Sequence, residues 1–109
     1  MTGYFSIRPR PGAAIVGAVN GALESLTRGL ALELAPVRVN AVSPGTIDTP
    51  IRSSMPEAAR SDMLVKAAAA LPVGRVGVGE DIAAQILTFM TVGFATGSIV
   101  YIDGGALIV

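Results

Sequence analysis

A chain of 109 residues holds at most one domain with one modest core, taken here as a single unit over 1–109. Eight basic and eight acidic residues cancel, and no basic cluster is present to neutralise phosphates or an anionic lipid surface, so neither nucleic acid nor membrane is an expected partner. The absence of cysteine and histidine removes disulfides, thiolate nucleophiles, imidazole bases and nearly all zinc chemistry, and no metal site is expected.

Met1 to Arg10 lacks the basic-then-apolar pattern of a secretory signal, and the chain reads as cytoplasmic. Arg8-Pro-Arg-Pro-Gly12 forms a stiff loop, because each proline fixes φ and Gly12 permits a turn. Residues Ala13 to Leu34 are predicted as a helix, with Ile15, Val19, Ala22, Leu23, Leu26, Leu30 and Leu34 recurring at three- and four-residue spacing. Glu24 and Arg28 stand one turn apart and add local support. A strip of small residues, Gly17, Ala18, Gly21 and Ala22, invites the close approach of another backbone, so this helix is expected to pack on two sides.

Val37 to Val42 follows as a largely buried strand, ended by Ser43-Pro-Gly45. Residues 46 to 72 hold a loop and short helical pieces, with Glu57 to Ala70 as the main helix. Gly74 to Gly79 is a glycine-rich loop. Glu80 and Asp81 then suit the positive N-terminus of a helix running to about Thr91. The last strand, Ile99 to Ile102, meets Asp103-Gly-Gly105. Helical segments between two buried strands imply a parallel crossover, and two parallel strands need further neighbours and cover on both faces. The chain therefore reads as part of a larger sheet.

The 21 residues from Ile82 to Ile102 carry no formal charge, which meets the length rule for a membrane span. A buried helix followed by a buried strand accounts for them equally, since Gly93 and Gly97 punctuate the middle and no Lys or Arg flanks either end.

Few residues offer chemistry. Gly74-Arg-Val-Gly-Val-Gly79 has the look of a phosphate cradle, but it enters its helix through two carboxylates that would repel an anion. Without histidine, a serine nucleophile would depend on Lys66, the single lysine, and no Ser-x-x-Lys spacing occurs.

The stretch Asn20 to Pro50, with its run Val37-Arg-Val-Asn-Ala-Val-Ser-Pro-Gly-Thr-Ile-Asp-Thr-Pro50, resembles the catalytic helix, following strand and nicotinamide loop of short-chain dehydrogenases/reductases. Pro72-Val-Gly-Arg75, Glu80-Asp-Ile-Ala83 and Tyr101-Ile-Asp-Gly-Gly105 match the same family in order and spacing, and the resemblance extends from about Gly12 to the end. It implies an α/β fold: the C-terminal part of a Rossmann-like doubly wound parallel sheet, with about two strands and three helices. The charge-free window becomes its last helix and strand. The family's N-terminal dinucleotide-binding half, with its Thr-Gly-x-x-x-Gly-x-Gly turn, is absent from this sequence, so a fragment or a truncated frame is expected.

The resemblance implies NAD or NADP as cofactor and a small apolar alcohol or carbonyl as substrate. It places Pro44, Gly45, Ile47 and Thr49 in the loop that grips the nicotinamide. It places the family's lysine at Asn20, its tyrosine at Val16 and its serine at or beside Gly3, so no catalytic residue remains. Tyr4 and Arg8 imitate a Tyr-x-x-x-basic motif, but Pro9 and Pro11 break the helix that motif requires; Tyr4 could enter a site only from a loop. Ile51 to Leu71 correspond to the substrate lid, where Met55, Met63 and Leu64 point to an apolar ligand or to core packing. The expected function is that of an oxidoreductase portion without activity of its own. The alternative is a non-catalytic assembly module that pairs, as a homo- or hetero-oligomer, with dehydrogenase subunits through the long helix and the last helix and strand.

Overall fold

A computed structural model describes residues 1–109, the side chain of Arg52 excepted. In chain order it comprises a 3-10 turn at Tyr4–Ser6, α1 (Ala14–Glu33), β1 (Ala41–Pro44), a second 3-10 turn at Pro50–Arg52, α2 (Glu57–Ala70), α3 (Gly79–Thr91) and β2 (Ile99–Ile102). The strands pair in parallel, with Ala41 opposite Ile99 and Pro44 opposite Ile102. Two parallel strands and three helices form the C-terminal portion of a Rossmann-like α/β fold, as expected. No helix among the described residues is long and apolar enough to cross a membrane, and the charge-free window resolves into α3 and β2.

The first strand lies further along the chain than Val37–Val42. Residues 38 to 40 are an extended lead-in whose hydrogen bonds go mainly through side chains. The Arg38 guanidinium donates to the Phe89 (2.7 Å) and Met90 (3.3 Å) carbonyls at the C-terminus of α3 and to the Ala95 carbonyl (3.1 Å) in the turn beyond it. The Asn40 amide donates to Ala95 O and accepts from Ser98 N. Regular pairing starts where Ala41 N donates to Ser98 O. The strand also runs through Pro44 instead of stopping before it. Bonds to β2 use the N–H groups of Ala41 and Gly45, so the N–H that Pro44 lacks belongs to the opposite edge. On that edge the Val42 carbonyl accepts from Thr2 N at 3.0 Å.

Side chains alternate across the sheet. Val42 shares a cleft with Ile86, Phe89 and Met90 of α3, whereas Tyr101 faces Glu24 of α1. The buried face of α1 departs from expectation. It presents Asn20, Glu24 and Thr27, while Ile15, Val19 and Leu26 of the apolar stripe stand exposed. Two of these polar groups are satisfied locally: Ser6 Oγ donates to Glu24 at 2.7 Å, and Thr27 Oγ1 donates to the Leu23 carbonyl at 2.8 Å. Glu24 is thus turned inward and makes no ion pair with Arg28 among the described residues. Ser43 is fully buried on the sheet, and its hydroxyl has no hydrogen-bond partner among the described residues. The small-residue strip does receive another backbone, that of the Tyr4–Ser6 turn: a Cβ on Gly17 would lie 2.8 Å from the Phe5 carbonyl oxygen.

Arg38 joins the end of α3 to the start of β1 with a charged donor, the stronger class of hydrogen bond. Replacing it with alanine is expected to lower unfolding free energy by about 1–3 kcal/mol. A urea midpoint unchanged from the parent chain would contradict that role.

Candidate functional site

The sheet's C-terminal end carries the site. Gly45 leaves β1 beside the turn after β2, where its N–H donates to Ile102 O at 2.9 Å. A Cβ on Gly45 would lie 2.5 Å from the Asp103 Cα and 2.9 Å from the Asp103 carbonyl oxygen, both backbone atoms that cannot yield cheaply. The glycine is therefore required by the approach of two chain segments, whatever else the loop does. Asp103 stiffens its own side of the contact, accepting from the N–H groups of Gly105 and Leu107 at 3.0 Å each. Gly104 and Gly105, at φ of 67° and 89°, complete that turn in the left-handed region.

Beyond Gly45 the loop is strapped from the other side by the glycine-rich segment. Ile47 and Gly77 form an isolated parallel bridge, with Gly77 N donating to Thr46 O (3.0 Å) and Asp48 N donating to Gly77 O (2.8 Å). A Cβ on Gly77 would stand 2.5 Å from the Ile47 Cδ1 atom. The backbone that a phosphate would need is thus committed to the loop. Asp81 strengthens the strap: it accepts from the two terminal Arg75 guanidinium nitrogens at 2.8 Å and from Val78 N at 2.8 Å. These bonds hold its carboxyl well below the ordinary carboxylate range, Arg75 being the largest cause. A third tie, Arg60 to Asp48 at 2.5 Å, fixes α2 to the loop.

The result is a cleft of about 510 Å³ between the end of β1 and α3, and Pro44, Gly45, Ile47 and Thr49 all line it. Met1, Thr2 and Ile82 complete much of the wall. The surface is mainly apolar, and the Thr49 hydroxyl makes no hydrogen bond among the described residues, leaving it free to orient a ligand.

The positions aligned with the catalytic serine, tyrosine and lysine are also placed. Gly3 and Asn20 are adjacent, since a Cβ on Gly3 would lie 2.8 Å from Asn20 Nδ2. Thr2 Oγ1 donates to the Asn20 carbonyl at 3.2 Å. Val16 lies one turn before Asn20 on α1 and is half exposed. Tyr4, on its 3-10 turn, lines a different pocket with Arg8 and Arg10. Met55, Met63 and Leu64 line neither the loop cleft nor the Tyr4 pocket; α2 contributes Ala67 and Ala70 to the latter instead. Sequence reasoning missed the strap through Gly77, the Arg60–Asp48 tie and the exposed face of Thr46. Only the Arg75-to-Asp81 spacing beside a helix start offered a signal.

Substituting Gly45 with alanine is expected to cost about 1–3 kcal/mol, because two backbones would have to separate. Gly29→Ala, with open space around it, serves as the tolerated control in thermal melts. Since Asp81 is held below its ordinary range, its contribution is present above about pH 4 and is lost as pH falls beneath that. Asp81→Asn should therefore lower the melting temperature at neutral pH and flatten its fall on acidification; equal acid slopes in both proteins would contradict the assignment.

Comparison with known proteins places this arrangement. A family model described as Enoyl-(Acyl carrier protein) reductase matches residues 1–106. The short-chain dehydrogenase/reductase ATR9 of Stachybotrys chlorohalonatus is 39% identical over 107 residues, covering 98% of this chain and 42% of that protein. The 3-oxoacyl-[acyl-carrier-protein] reductase FabG of Thermotoga maritima is 37% identical over 103 residues, covering 90% of this chain and 40% of FabG. A crystal structure of a small-chain dehydrogenase in complex with NADPH superposes with a TM-score of 0.95 at 38% identity, over 99% of this chain and 49% of that one. This chain thus spans about two fifths of the length of the curated relatives it matches. Its fold, its loop and these likenesses agree: the chain belongs to the short-chain dehydrogenase/reductase family and corresponds to the C-terminal portion of that fold.

Proposed function

We propose that this chain is a short-chain dehydrogenase/reductase portion whose ancestral chemistry is NAD(P)-dependent hydride transfer between an alcohol and a carbonyl, and that alone it does not perform that reaction. The observation that carries the reading is the side-chain inventory at three adjoining positions. Gly3 has no hydroxyl, Val16 has no proton to give, and Asn20 has no charge to draw a phenol down from about 10. Loss of a positioned general acid typically forfeits about 10²- to 10⁴-fold in rate.

No other group replaces them. Burial, together with the Glu24 carboxylate facing it, pushes the Tyr101 phenol above its ordinary value, the opposite of what an acid catalyst needs. Lys66, the single lysine, is paired with Asp62 at 2.7 Å on the exposed side of α2.

The cofactor fits this chain in part. Pro44, Gly45, Ile47 and Thr49 are the residues that would hold the nicotinamide end, with Thr49 offering its free hydroxyl and Pro44 and Ile47 apolar surface. Nicotinamide dinucleotide, when bound, supplies or accepts the hydride. The loop most suited by composition to a diphosphate, residues 74–79, is occupied with backbone and carboxylate bonds of its own. We place the chain in the cytoplasm, in keeping with a sequence free of cysteine.

A second reading is assembly with dehydrogenase subunits. It is favoured by the uncovered apolar residues of α1 (Ile15, Val19, Leu26), by Leu87 and Met90 near the end of α3 and by Phe94 in the turn beyond it. Purified chain, mixed with NADH or NADPH and a panel of small apolar aldehydes and ketones, is expected to show no protein-dependent cofactor oxidation. Steady turnover would overturn the first reading. Sedimentation of the chain with and without a full-length family member tests the second, which requires a mixed species.

A further inference from the structure

The helix α2 is tied to the rest of the molecule in two different ways. Just past its C-terminus the chain is packed into place: Val73 N donates to the Gly104 carbonyl, and a Cβ on Gly105 would lie 2.6 Å from the Pro72 ring. Along the helix itself no residue is fully buried. Among the described residues one side-chain hydrogen bond joins α2 to another part of the chain, that from Arg60 to Asp48, and both side chains are only partly shielded from water. The remaining ion pairs of α2, Arg60 with Glu57 and Lys66 with Asp62, lie within the helix.

The Arg60 contact carries a cost. Its Nε–H is buried without a hydrogen-bond partner among the described residues, so a donor that water would satisfy is left unpaired while the helix is docked. A second carboxylate is at hand: Glu57, one turn earlier and 85% exposed, stands 3.7 Å from the other terminal guanidinium nitrogen and travels with the helix. Asp48 belongs to the other side of the contact, held to the glycine-rich strap by its own N–H, which donates to the Gly77 carbonyl at 2.8 Å. We propose that α2 is an arm hinged at residues 71–73 and closed by an ionic latch, in which Arg60 exchanges Asp48 for Glu57 as the arm opens while the loop stays on its strap. Partly exposed ion pairs contribute little net free energy and are screened by salt, so ionic strength sets how often the arm is open. Opening draws Ala67 and Ala70 away from Thr46 and widens the space between them. Neither hydride transfer nor a bound dinucleotide takes part, so the inference stands or falls separately from the function proposed above.

The test is residue-resolved amide hydrogen exchange of the purified 109-residue chain at about 0.01 M and about 1 M salt, between which the Debye length falls from about 30 Å to about 3 Å. Exchange in α2 is expected to rise about three- to tenfold with salt, while α1, α3 and the Asp48 N–H hold their protection. Arg60→Gln is expected to show the raised α2 exchange at both salt levels, and Asp48→Arg combined with Arg60→Asp to restore slow exchange at low salt. Lys66→Gln, which removes an ion pair inside the helix, is the control for fraying. An α2 exchange rate that Arg60→Gln leaves unmoved, a rise spread equally over all three helices, or the same rise in Lys66→Gln would overturn the proposal.

Discussion

The close crossing of Gly45 and Asp103 is the constraint on which the functional end of this molecule depends. Parallel strands leave their C-terminal ends open, and here the two chain segments meet with backbone against backbone where any side chain would separate them. Everything beyond inherits its position from that contact. The loop from Pro44 to Thr49 leaves the sheet at a fixed angle, the Gly77 strap closes on Ile47, and Arg60 reaches Asp48 from α2. A glycine that looks like a device for admitting a ligand is first a device for admitting Asp103.

The same loop separates two compartments of different character. On one side, a mainly apolar cleft shows Pro44, Gly45, Ile47 and a Thr49 hydroxyl without a hydrogen bond among the described residues. On the other, a pocket carries two arginines and a tyrosine against an apolar wall. At the positions that align with the family's serine, tyrosine and lysine, this chain has Gly3, Val16 and Asn20. The loop depends on backbone packing around Gly45, Gly77 and Asp103, which involves none of those three side chains.

Much of this was legible in the sequence, and the failures have physical causes. Helices 57–70 and 79–91 and the strand 99–102 follow from composition and punctuation because their boundaries are set locally, by Pro56, Gly79 and Asp103. The first strand was displaced because Arg38 and Asn40 sit in a β-branched run yet send their side chains to the end of α3 and to the turn that follows it, a choice fixed by residues about fifty positions away. The buried face of α1 was misread because periodicity marks where apolar residues recur and not which face a neighbour covers. Asn20, Glu24 and Thr27 share a stripe of equal period, and Ser6 and the adjoining turn select it. The four loop residues were named through a motif, and that they line one cleft needed coordinates. The pocket beside Tyr4 could not be read at all, since it joins residues from both ends of the chain with the end of α2.

The central claim is that this segment keeps the family's scaffold and has lost its proton-transfer groups at Gly3, Val16 and Asn20. It is tested most directly by grafting the segment into FabG of Thermotoga maritima in place of the matching residues and measuring NADPH oxidation with a 3-oxoacyl substrate. The account predicts a folded chimera with no turnover, and recovery when Gly3→Ser, Val16→Tyr and Asn20→Lys are introduced together. Turnover in the unrestored chimera, or a folded triple variant that stays inactive while binding NADPH, would contradict it.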